Sequence, residues 1–265
     1  MSAINEFEMI EEGDKIACCI SGGKDSMLLA KCLEEIRNNG RMKFDIVYLV
    51  MNPGYNEKNR KQIEDNAKLL GLDVTIFESD IFESVENVED SPCYLCARMR
   101  RGCLYSKAKE LGCNKIALGH HFDDVVETVL MGMMYGAQFQ TMMPKINSTN
   151  FEGMELIRPL YLVEEDDILR WRDYNDLEFI RCACRFTEKI EEAGMEGESK
   201  RKEMKLLLKE LMKVNPNVKT NIYRSTFNVN LNTIISYGDD EHQVHFLDKY
   251  KEDKKKKDER RKNNE

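Results

Sequence analysis

A glycine-rich turn between an apolar run and a helical pattern constrains the fold of this chain more than any other feature. The apolar run is Lys15–Ile20, the turn is Ser21-Gly-Gly-Lys-Asp-Ser26, and apolar residues at helical spacing continue to about Asn39. Gly22 and Gly23 permit a tight turn and a close approach of the backbone to a ligand. Backbone N–H groups at the start of a helix favour an anion. The pattern therefore predicts a strand, an anion-binding loop and a helix, in that order.

The side chains of this loop suit a nucleotide and its metal ion. Ser21 and Ser26 can donate hydroxyl hydrogen bonds, Lys24 adds positive charge, and Asp25 is a natural ligand for Mg²⁺. The lysine follows the glycines too soon for the pattern G-x-x-x-x-G-K-S/T. We predict that the loop cradles the phosphates of ATP. The alternative is an ordinary turn between a strand and a helix.

Strands and helices alternate along the chain. Further strands are predicted at Phe44–Met51, Val74–Phe77, Lys115–Gly119 and within Met154–Val163, and helices at 57–70, 122–135, Glu164–Asn175, 186–213 and 217–227. The expected fold class is α/β, with a parallel doubly wound sheet, helices on both faces and a C-terminal helical segment. We expect one α/β domain over 1–185, a helical extension of it over 186–235, and a disordered basic tail over 236–265.

Composition indicates a soluble, cytoplasmic chain with unevenly distributed charge. No apolar run approaches the roughly 20 residues that span a bilayer, and the N-terminus lacks the apolar region of a secretory signal. The net charge of −8 argues against a general nucleic-acid binder. Residues 249–265 hold nine Lys/Arg and five Asp/Glu, whereas the remainder holds 31 and 43. Any contact with nucleic acid must therefore use a local patch, and the tail is either a solubilising terminus or a weak RNA-tethering arm.

Two histidines and several acids follow the predicted strand that begins at Lys115. Asp123 and Asp124 lie in the first turn of the next helix, directly after His120 and His121. The carboxyl ends of strands are where open α/β sheets bind ligands. We predict that His120 faces the nucleotide and that Asp123 and Asp124 contact Mg²⁺ or the nucleotide. The alternative is a solvated acidic turn that the helix dipole favours.

Four cysteines form a candidate metal site. Cys93 and Cys96 are three residues apart at the predicted start of a helix, where the positive end of the dipole lowers the pKa of a thiol. Cys182 and Cys184 form a second pair far along the chain. Spacing alone favours a structural zinc ion held by four thiolates over an iron–sulfur cluster.

The motifs of this chain resemble those of a known family. The segments that carry the resemblance are CYLCARMRRGCLY, LGHHFDDVVETVLMGMMYG, MMPK, IRPLYLVEEDDI and FIRCAC. The glycine-rich loop resembles that of the N-type ATP pyrophosphatase superfamily. In order and spacing, the segments are similar to the tRNA 2-thiocytidine synthetase family across roughly residues 15–235. The resemblance implies an adenine nucleotide alpha hydrolase-like fold and ATP-dependent thiolation of a cytidine in the tRNA anticodon loop.

The resemblance also implies a mechanism and its residues. ATP and Mg²⁺ would adenylate the C2 oxygen of the base, and sulfur would then displace AMP. A 4Fe-4S cluster would be held by Cys93, Cys96 and Cys182, with one iron open to carry sulfur. The segment Arg181-Cys-Ala-Cys-Arg185 departs from the family's Pro-Cys-x-x-Cys-Gly, so Cys184 is an alternative or a fourth ligand. We expect Lys24, Asp25 and Asp123 to be the catalytic residues.

Partners and alternative functions follow from the same resemblance. It implies tRNA as the substrate, and a cysteine desulfurase or sulfide as the sulfur donor. It is compatible with a homodimer and involves no membrane. One alternative is a related ATP pyrophosphatase that thiolates uridine or a small molecule. Another, from a different class, is a zinc-stabilised nucleic-acid-binding protein with a vestigial loop.

Overall fold

The chain divides into two compact units. The computed structural model describes residues 1–40, 42–79, 81, 92–180, 200–238 and 241–262, without the side chains of 92–94, 97 and 257–262. The units are Met1–Lys219 and Thr220–Glu265. Of the two predicted boundaries, the one after residue 185 lies outside the described residues. The one after residue 235 falls inside the second unit, and the predicted domain bounds stay a prediction.

The elements of the first unit follow the predicted alternation. In chain order they are α1 (Ser2–Glu6), β1 (Lys15–Ile20), α2 (Lys24–Asn39), β2 (Asp45–Asn52), α3 (Glu57–Leu70), β3 (Val74–Glu78), α4 (Pro92–Glu110), β4 (Lys115–Ala117), α5 (Phe122–Tyr135), β5 (Lys145–Asn147), β6 (Glu155–Ile157), α6 (Glu165–Tyr174) and α7 (Lys200–Val214). Helix α8 (Val218–Ser225) spans the division, and the second unit continues with β7 (Ser236–Gly238), β8 (Gln243–His245) and α9 (Phe246–Lys262).

The main sheet confirms the predicted fold class. Its strand order is β3-β2-β1-β4-β6-β5. All neighbouring strands pair in parallel except β5 and β6, which are antiparallel. The short edge strand β5 was not predicted. The chain moves outward from β1 to β2 and β3 and then returns to β4 on the other side of β1. The order therefore reverses between β1 and β4, the point where ligands bind in such sheets.

Strand β1 is buried along both faces, which explains its unbroken apolar run. Ala17 and Cys19 pack with Tyr105 and Ala108 of helix α4 on one face. Because successive side chains alternate in direction, the remaining apolar residues of β1 face the other side. Helix α2 packs against β1 and β2. The strand that leads into the glycine-rich loop thus lies at the centre of the core.

A buried ion cluster lies at the amino end of β4, opposite the loop. The ammonium of Lys115 lies 2.8 Å from Asp14, 3.0 Å from Glu155 and 3.2 Å from the carbonyl of Met9. Burial opposes the charge of Asp14, but its hydrogen bonds to Lys115 and neighbouring groups outweigh this and lower its pKa. The cluster fastens the N-terminal segment to the sheet.

The second unit contains a helix where composition predicted a disordered tail. Strands β7 and β8 form an antiparallel hairpin, and α9 follows directly. His245 caps α9, since its Nδ1 accepts a hydrogen bond from the N–H of Leu247 at 3.3 Å. Residues 246–262 lack glycine and proline. They are rich in lysine and acids at helical spacing, which favours a helix despite the polar composition.

Across the described part of the chain, no helix combines the length and apolarity needed to cross a membrane.

Candidate active site

The glycine-rich loop has the predicted position between β1 and α2, and its shape depends on Gly22. Gly22 has φ +85°, a region that favours glycine. A Cβ at this position would lie 2.6 Å from the side chains of both Ile63 and Ile180. The loop therefore turns sharply and packs tightly against α3 and the segment that follows α6.

The side chain of Ser26 holds the loop together by hydrogen bonds to two of its backbone groups. Its hydroxyl accepts a hydrogen bond from the N–H of Ser21 at 3.1 Å and donates one to the carbonyl of Gly23 at 3.0 Å. The Ser21 hydroxyl lies 3.2 Å from that of Ser26. Gly23 caps α2 without a side-chain hydrogen bond. The first N–H groups of α2 are thus available to an anion at the mouth of the loop.

A cleft of about 380 Å³ opens at the carboxyl ends of β1, β2 and β4. It brings together the two predicted motifs, because loop residues and residues from the histidine–acid block line the same space. Its lining residues are Cys19, Ile20, Ser21, Asp25, Ser26, Met51, Arg100, Leu104, Leu118, Gly119, His120, Asp124 and Arg201. The cleft lies at the switch point of the sheet, the position that the topology predicts for a ligand.

Gly119 allows β4 to approach the start of α2. A Cβ on Gly119 would lie 2.9 Å from the backbone carbon of Asp25 and 3.0 Å from the nitrogen of Ser26. A larger residue here would displace the first turn of α2. No role was predicted for this glycine, which was placed at the end of the predicted strand Lys115–Gly119, whereas β4 ends at Ala117.

The two histidines have different environments. His120 lines the cleft, and its Nδ1 is buried without a hydrogen-bond partner among the described residues. Burial, assisted by the positive charge of Arg158, lowers the pKa of His120 to about 4. His121 is buried and its Nε2 lies 3.5 Å from Asp124. The neutral imidazole of His120 therefore lies at the cleft with a buried Nδ1 that has no hydrogen-bond partner among the described residues. Its predicted contact with the nucleotide stays a prediction.

Lys24 of the loop is paired with acids on both sides. Its Nζ lies 2.8 Å from Asp25 and 3.3 Å from Glu165 at the start of α6. Glu165 also forms an ion pair with Lys205 of α7. Burial alone would raise the pKa of Glu165, but Lys205 and Lys24 outweigh it and lower that pKa to about 2. The carboxylate of Glu165 is thus firmly ionised between two ammonium groups.

A second ion-pair group involves Arg201 of α7. Its guanidinium pairs with Asp124 and lies 3.5 Å from Glu127. Glu127 is buried, and burial raises its pKa to about 7 even though Arg201 acts in the opposite direction. Asp124 also accepts a hydrogen bond from the N–H of His121 at 3.0 Å. Arg201 therefore faces two carboxylates, of which the buried one, Glu127, has a pKa of about 7.

Asp123 has contacts that differ from those of its neighbour. One oxygen accepts the backbone N–H of Glu165 at 2.8 Å, and the other accepts from Lys219 at 2.9 Å. Lys219 also pairs with Glu164 at 2.8 Å. These bonds fasten α5 to the start of α6. The geometry around Asp123 is that of a positioning residue, while its predicted catalytic role stays a prediction.

The cysteines are only partly within the described residues. Cys96 is buried in α4 and packs with Met51 and Ile81, and Met51 lines the cleft. The side chain of Cys93 and all of Cys182 and Cys184 lie outside the described residues. Within the described ranges, no group of three or more histidine, cysteine or acidic side chains is arranged to hold a metal ion. Spacing alone had favoured a zinc site, and the described residues do not include its full ligand set.

The segment that leads to Cys182 is fastened beside the loop. The side chain of Asn66 in α3 donates a hydrogen bond to the carbonyl of Glu178 at 2.8 Å. Ile180 lies against Gly22 and lines a second cleft of about 650 Å³ with Gly23, Lys24 and Asp25. Asp25 borders both clefts. The last described residue before the second cysteine pair is therefore in contact with the glycine-rich loop.

The charged residues that α6 and α7 bring to the loop were not among the predicted site residues. Glu165 lies in the segment IRPLYLVEEDDI that carries the family resemblance, and Arg201 and Lys205 lie in the helix predicted at 186–213, but none of the three was assigned a role. Their positions become informative only when the helices pack beside the loop. The completed arrangement has cations, carboxylates and a helix N-terminus around one space, a combination that suits a polyphosphate with a divalent cation.

Comparison with known proteins agrees with this arrangement. Residues 2–189 match the PP-loop domain family. The tRNA-cytidine(32) 2-sulfurtransferase of Geobacter metallireducens is 37% identical over 230 residues, covering 86% of this chain and 86% of that protein. The protein of the same name from Neisseria meningitidis serogroup C is 40% identical over 186 residues, covering 68% of this chain and 57% of that protein. This chain thus spans little more than half the length of the Neisseria relative.

A solved structure shares the fold. The U34-tRNA thiolase NcsA from Methanococcus maripaludis, determined with its 4Fe-4S cluster, superposes with a TM-score of 0.66 at 21% identity, covering 86% of this chain and 76% of that one. The fold, the loop and the family match define a PP-loop protein. Within that class, the chain belongs to the tRNA-cytidine(32) 2-sulfurtransferase family, as its ordered motifs predicted.

Proposed function

We propose that this chain is an ATP-dependent tRNA sulfurtransferase that converts a cytidine of the anticodon loop, position 32 in the names of its relatives, to 2-thiocytidine. One observation carries the proposal. The glycine-rich loop, His120 and Asp124 border a single cleft, and Cys96 packs against Met51 in its wall. A nucleotide-activating site and a thiol-bearing helix are thus adjacent.

The loop would activate the base. A ring carbonyl has no good leaving group, so its C2 oxygen must attack the α-phosphorus of ATP and release pyrophosphate. Sulfur then bonds to C2 and AMP departs with the original oxygen. Lys24 and the N–H groups of α2 are fixed in place to stabilise the charge on the phosphates, as preorganised donors do. Asp25 and Asp124 have the oxygen ligands that Mg²⁺ prefers, and they would hold it against the phosphates.

We propose Cys93, Cys96 and Cys182 as ligands of a 4Fe-4S cluster, with Cys184 as the alternative third ligand. When bound, the cluster supplies a soft iron site that can carry sulfur. Cys93 and Cys96 lie in the first turns of α4, where the helix dipole favours thiolates. Cys182 follows Ile180 by two residues, a span of at most about 7 Å, and Ile180 contacts the loop. The chain path is therefore compatible with a cluster beside the nucleotide.

Anaerobic purification tests the cluster. The wild type should be brown and contain about four iron and four sulfide ions per chain. Cys93→Ala and Cys96→Ala should be colourless, and a comparison of Cys182→Ala with Cys184→Ala should identify the third ligand. Cys103→Ala is the matched control, because Cys103 lies in the same helix and should be dispensable. A colourless wild type that contains zinc would contradict the proposal.

The location of the protein, its partners and its oligomeric state are proposed from the family. We propose that the protein acts in the cytoplasm on tRNA, as a homodimer, with sulfide or a cysteine desulfurase as the sulfur source. Because the chain as a whole is acidic, the tRNA must be bound through a local basic patch. Omission of each candidate sulfur source from a reconstituted reaction identifies the donor.

A further inference from the structure

A cleft of mixed charge lies between the glycine-rich loop and helix α7. It measures about 360 Å³ and is lined by Lys24, Asp25, His121, Asp124, Glu127, Glu165, Arg201, Lys202 and Lys205. Four of these side chains are cations and four are acids, so the space is close to electrically neutral. Such an arrangement is unlike a simple basic phosphate pocket, in which positive charge dominates.

The charges of this cleft are already paired within the protein. Lys205 pairs with Glu165, which also holds Lys24, while Arg201 pairs with Asp124 and Glu127. The two paired cations of α7 are more accessible than their acidic partners. The side chains of Arg201 and Lys205 are 41% and 42% exposed, whereas those of Asp124 and Glu165 are 18% and 15% exposed. An incoming anion can therefore reach Arg201 and Lys205 without displacing the less exposed carboxylates of Asp124 and Glu165.

We propose that Arg201 and Lys205 bind the β- and γ-phosphates of ATP and retain the pyrophosphate after cleavage, while the carboxylates they release bind the accompanying Mg²⁺. The inference rests on the proposed function and assigns two binding residues to its leaving group. A guanidinium can engage phosphate oxygens with two parallel hydrogen bonds. Magnesium is commonly held by one or two carboxylates together with substrate phosphates.

Because the cations of α7 are paired with acidic side chains, a ligand that breaks these pairs must supply both a negative and a positive charge. A bare polyanion would take the cations of α7, leaving Asp124 without its partner Arg201 and Glu165 with Lys24 alone, which is costly for part-buried carboxylates. Magnesium pyrophosphate supplies an anion for Arg201 and Lys205 and a cation for the acids. Every charge therefore has a partner both before and after binding, and pyrophosphate alone should bind poorly.

The competing account is that the ion pairs only fasten α7 to the rest of the unit. Calorimetric titration of inorganic pyrophosphate with Mg²⁺ into the full-length protein separates the two. Arg201→Gln and Lys205→Gln should each weaken binding roughly 10–100-fold, because each removes a charge-assisted hydrogen bond. Lys209→Gln, an exposed change on the same helix, should bind as the wild type does. Equal affinity in all four proteins would overturn the proposal.

A gain of binding provides a second test that does not depend on variant stability. Glu165→Gln removes the carboxylate that competes for Lys24 and Lys205. Without Mg²⁺, this variant should bind pyrophosphate at least about 10-fold more tightly than the wild type, since Lys205 loses its internal partner and Lys24 is left paired with Asp25 alone. Unchanged or weaker metal-free binding in Glu165→Gln would contradict the exchange of partners.

The two tests are independent of tRNA and of the cysteines. If the wild type binds magnesium pyrophosphate through Arg201 and Lys205 but forms no thiocytidine, the proposed function fails and this site remains. If the wild type forms thiocytidine while Arg201→Gln and Lys205→Gln bind pyrophosphate normally, the inference alone fails.

Discussion

Lys24 of the glycine-rich loop is held 3.3 Å from Glu165, the first residue of helix α6. This ion pair connects the glycine-rich loop to a helix far along the chain. Glu165 forms a second ion pair with Lys205, which connects α6 to α7. The orientation of the loop lysine is therefore determined by tertiary packing as well as by the turn around it. This preorganisation reduces the rearrangement needed when charge develops on the phosphates.

Lys24→Gln should lower kcat/KM for ATP by about 10²–10³-fold, because loss of one preorganised charged donor has an effect of that size. Pyrophosphate release in the presence of tRNA measures it. Lys31→Gln is the control, since Lys31 lies on the same helix and forms only surface ion pairs with Glu34 and Glu35. Equal activity of the two variants would show that the loop lysine does not stabilise the phosphates.

Gly22→Ala should destabilise the protein by about 1–3 kcal/mol and weaken ATP binding more than about 10-fold. The new methyl group would meet Ile63 and Ile180 at 2.6 Å and force the loop to move. Gly13→Ala is a matched control, because Gly13 has φ +88° but nothing lies within 4 Å of its Cβ position. Denaturant unfolding and ATP titration measure both effects. If Gly13→Ala weakened ATP binding equally, the close packing at Gly22 would not be the cause.

Glu127 should make stability depend on pH. Burial raises its pKa to about 7 against the influence of Arg201, while Asp124 and Asp123 add to the increase and Lys205 opposes it. The folded protein thus binds more protons than the unfolded chain between the ordinary pKa of about 4.5 and about 7, so this group lowers stability as pH rises through that window.

Replacing Glu127 with Gln removes that contribution. The free energy of unfolding should therefore fall less in Glu127→Gln than in the wild type between about pH 5 and about pH 8, by on the order of 2 kcal/mol. Urea denaturation of both proteins at the two pH values gives the difference, in which groups common to both cancel. Parallel pH profiles would mean that Glu127 has an ordinary pKa.

Lys115→Met should cost about 3–5 kcal/mol of stability, because it leaves Asp14 and Glu155 without their cation. Lys107→Met breaks only an exposed pair with Glu110 and should change stability by less than about 0.5 kcal/mol. Chemical denaturation compares them. The folded Lys115→Met protein should bind ATP normally, because Lys115 lies at the opposite end of β4 from the loop. Similar stabilities of the two variants would contradict the importance of the buried cluster.

Local patterns predicted most of the fold. Helix α3 has its predicted bounds because Asn56 caps its start, accepting the N–H of Asn59 at 2.7 Å, and Gly71 ends it with φ +73°. Strand β1 has its predicted bounds, because burial on both faces of the sheet requires a continuous apolar run, which the sequence shows. Strand β5 has three residues, is partly exposed and pairs with β6 at the edge of the sheet. It is too short for an alternating apolar pattern to predict it.

The site was predictable only where its residues are close together in sequence. The glycine-rich loop and the block around His120 each carry their own signal, and the topology places both at the switch point. Nothing local distinguishes Arg201 or Lys205 from Lys209, because all three lie on one charged helix. Their roles depend on the packing of α7 against α5 and on its ion pair with Glu165 of α6, tertiary relationships that sequence periodicity does not report.

Nucleoside mass analysis of tRNA is the most direct test of the central claim. It compares a strain that lacks the gene with the same strain carrying the wild-type gene or Asp25→Asn, which removes the proposed Mg²⁺ ligand of the loop. We expect 2-thiocytidine to disappear in the deletion strain, to return with the wild-type gene and to stay absent with Asp25→Asn. Undiminished 2-thiocytidine in the deletion strain, or loss of a thiouridine in its place, would contradict it.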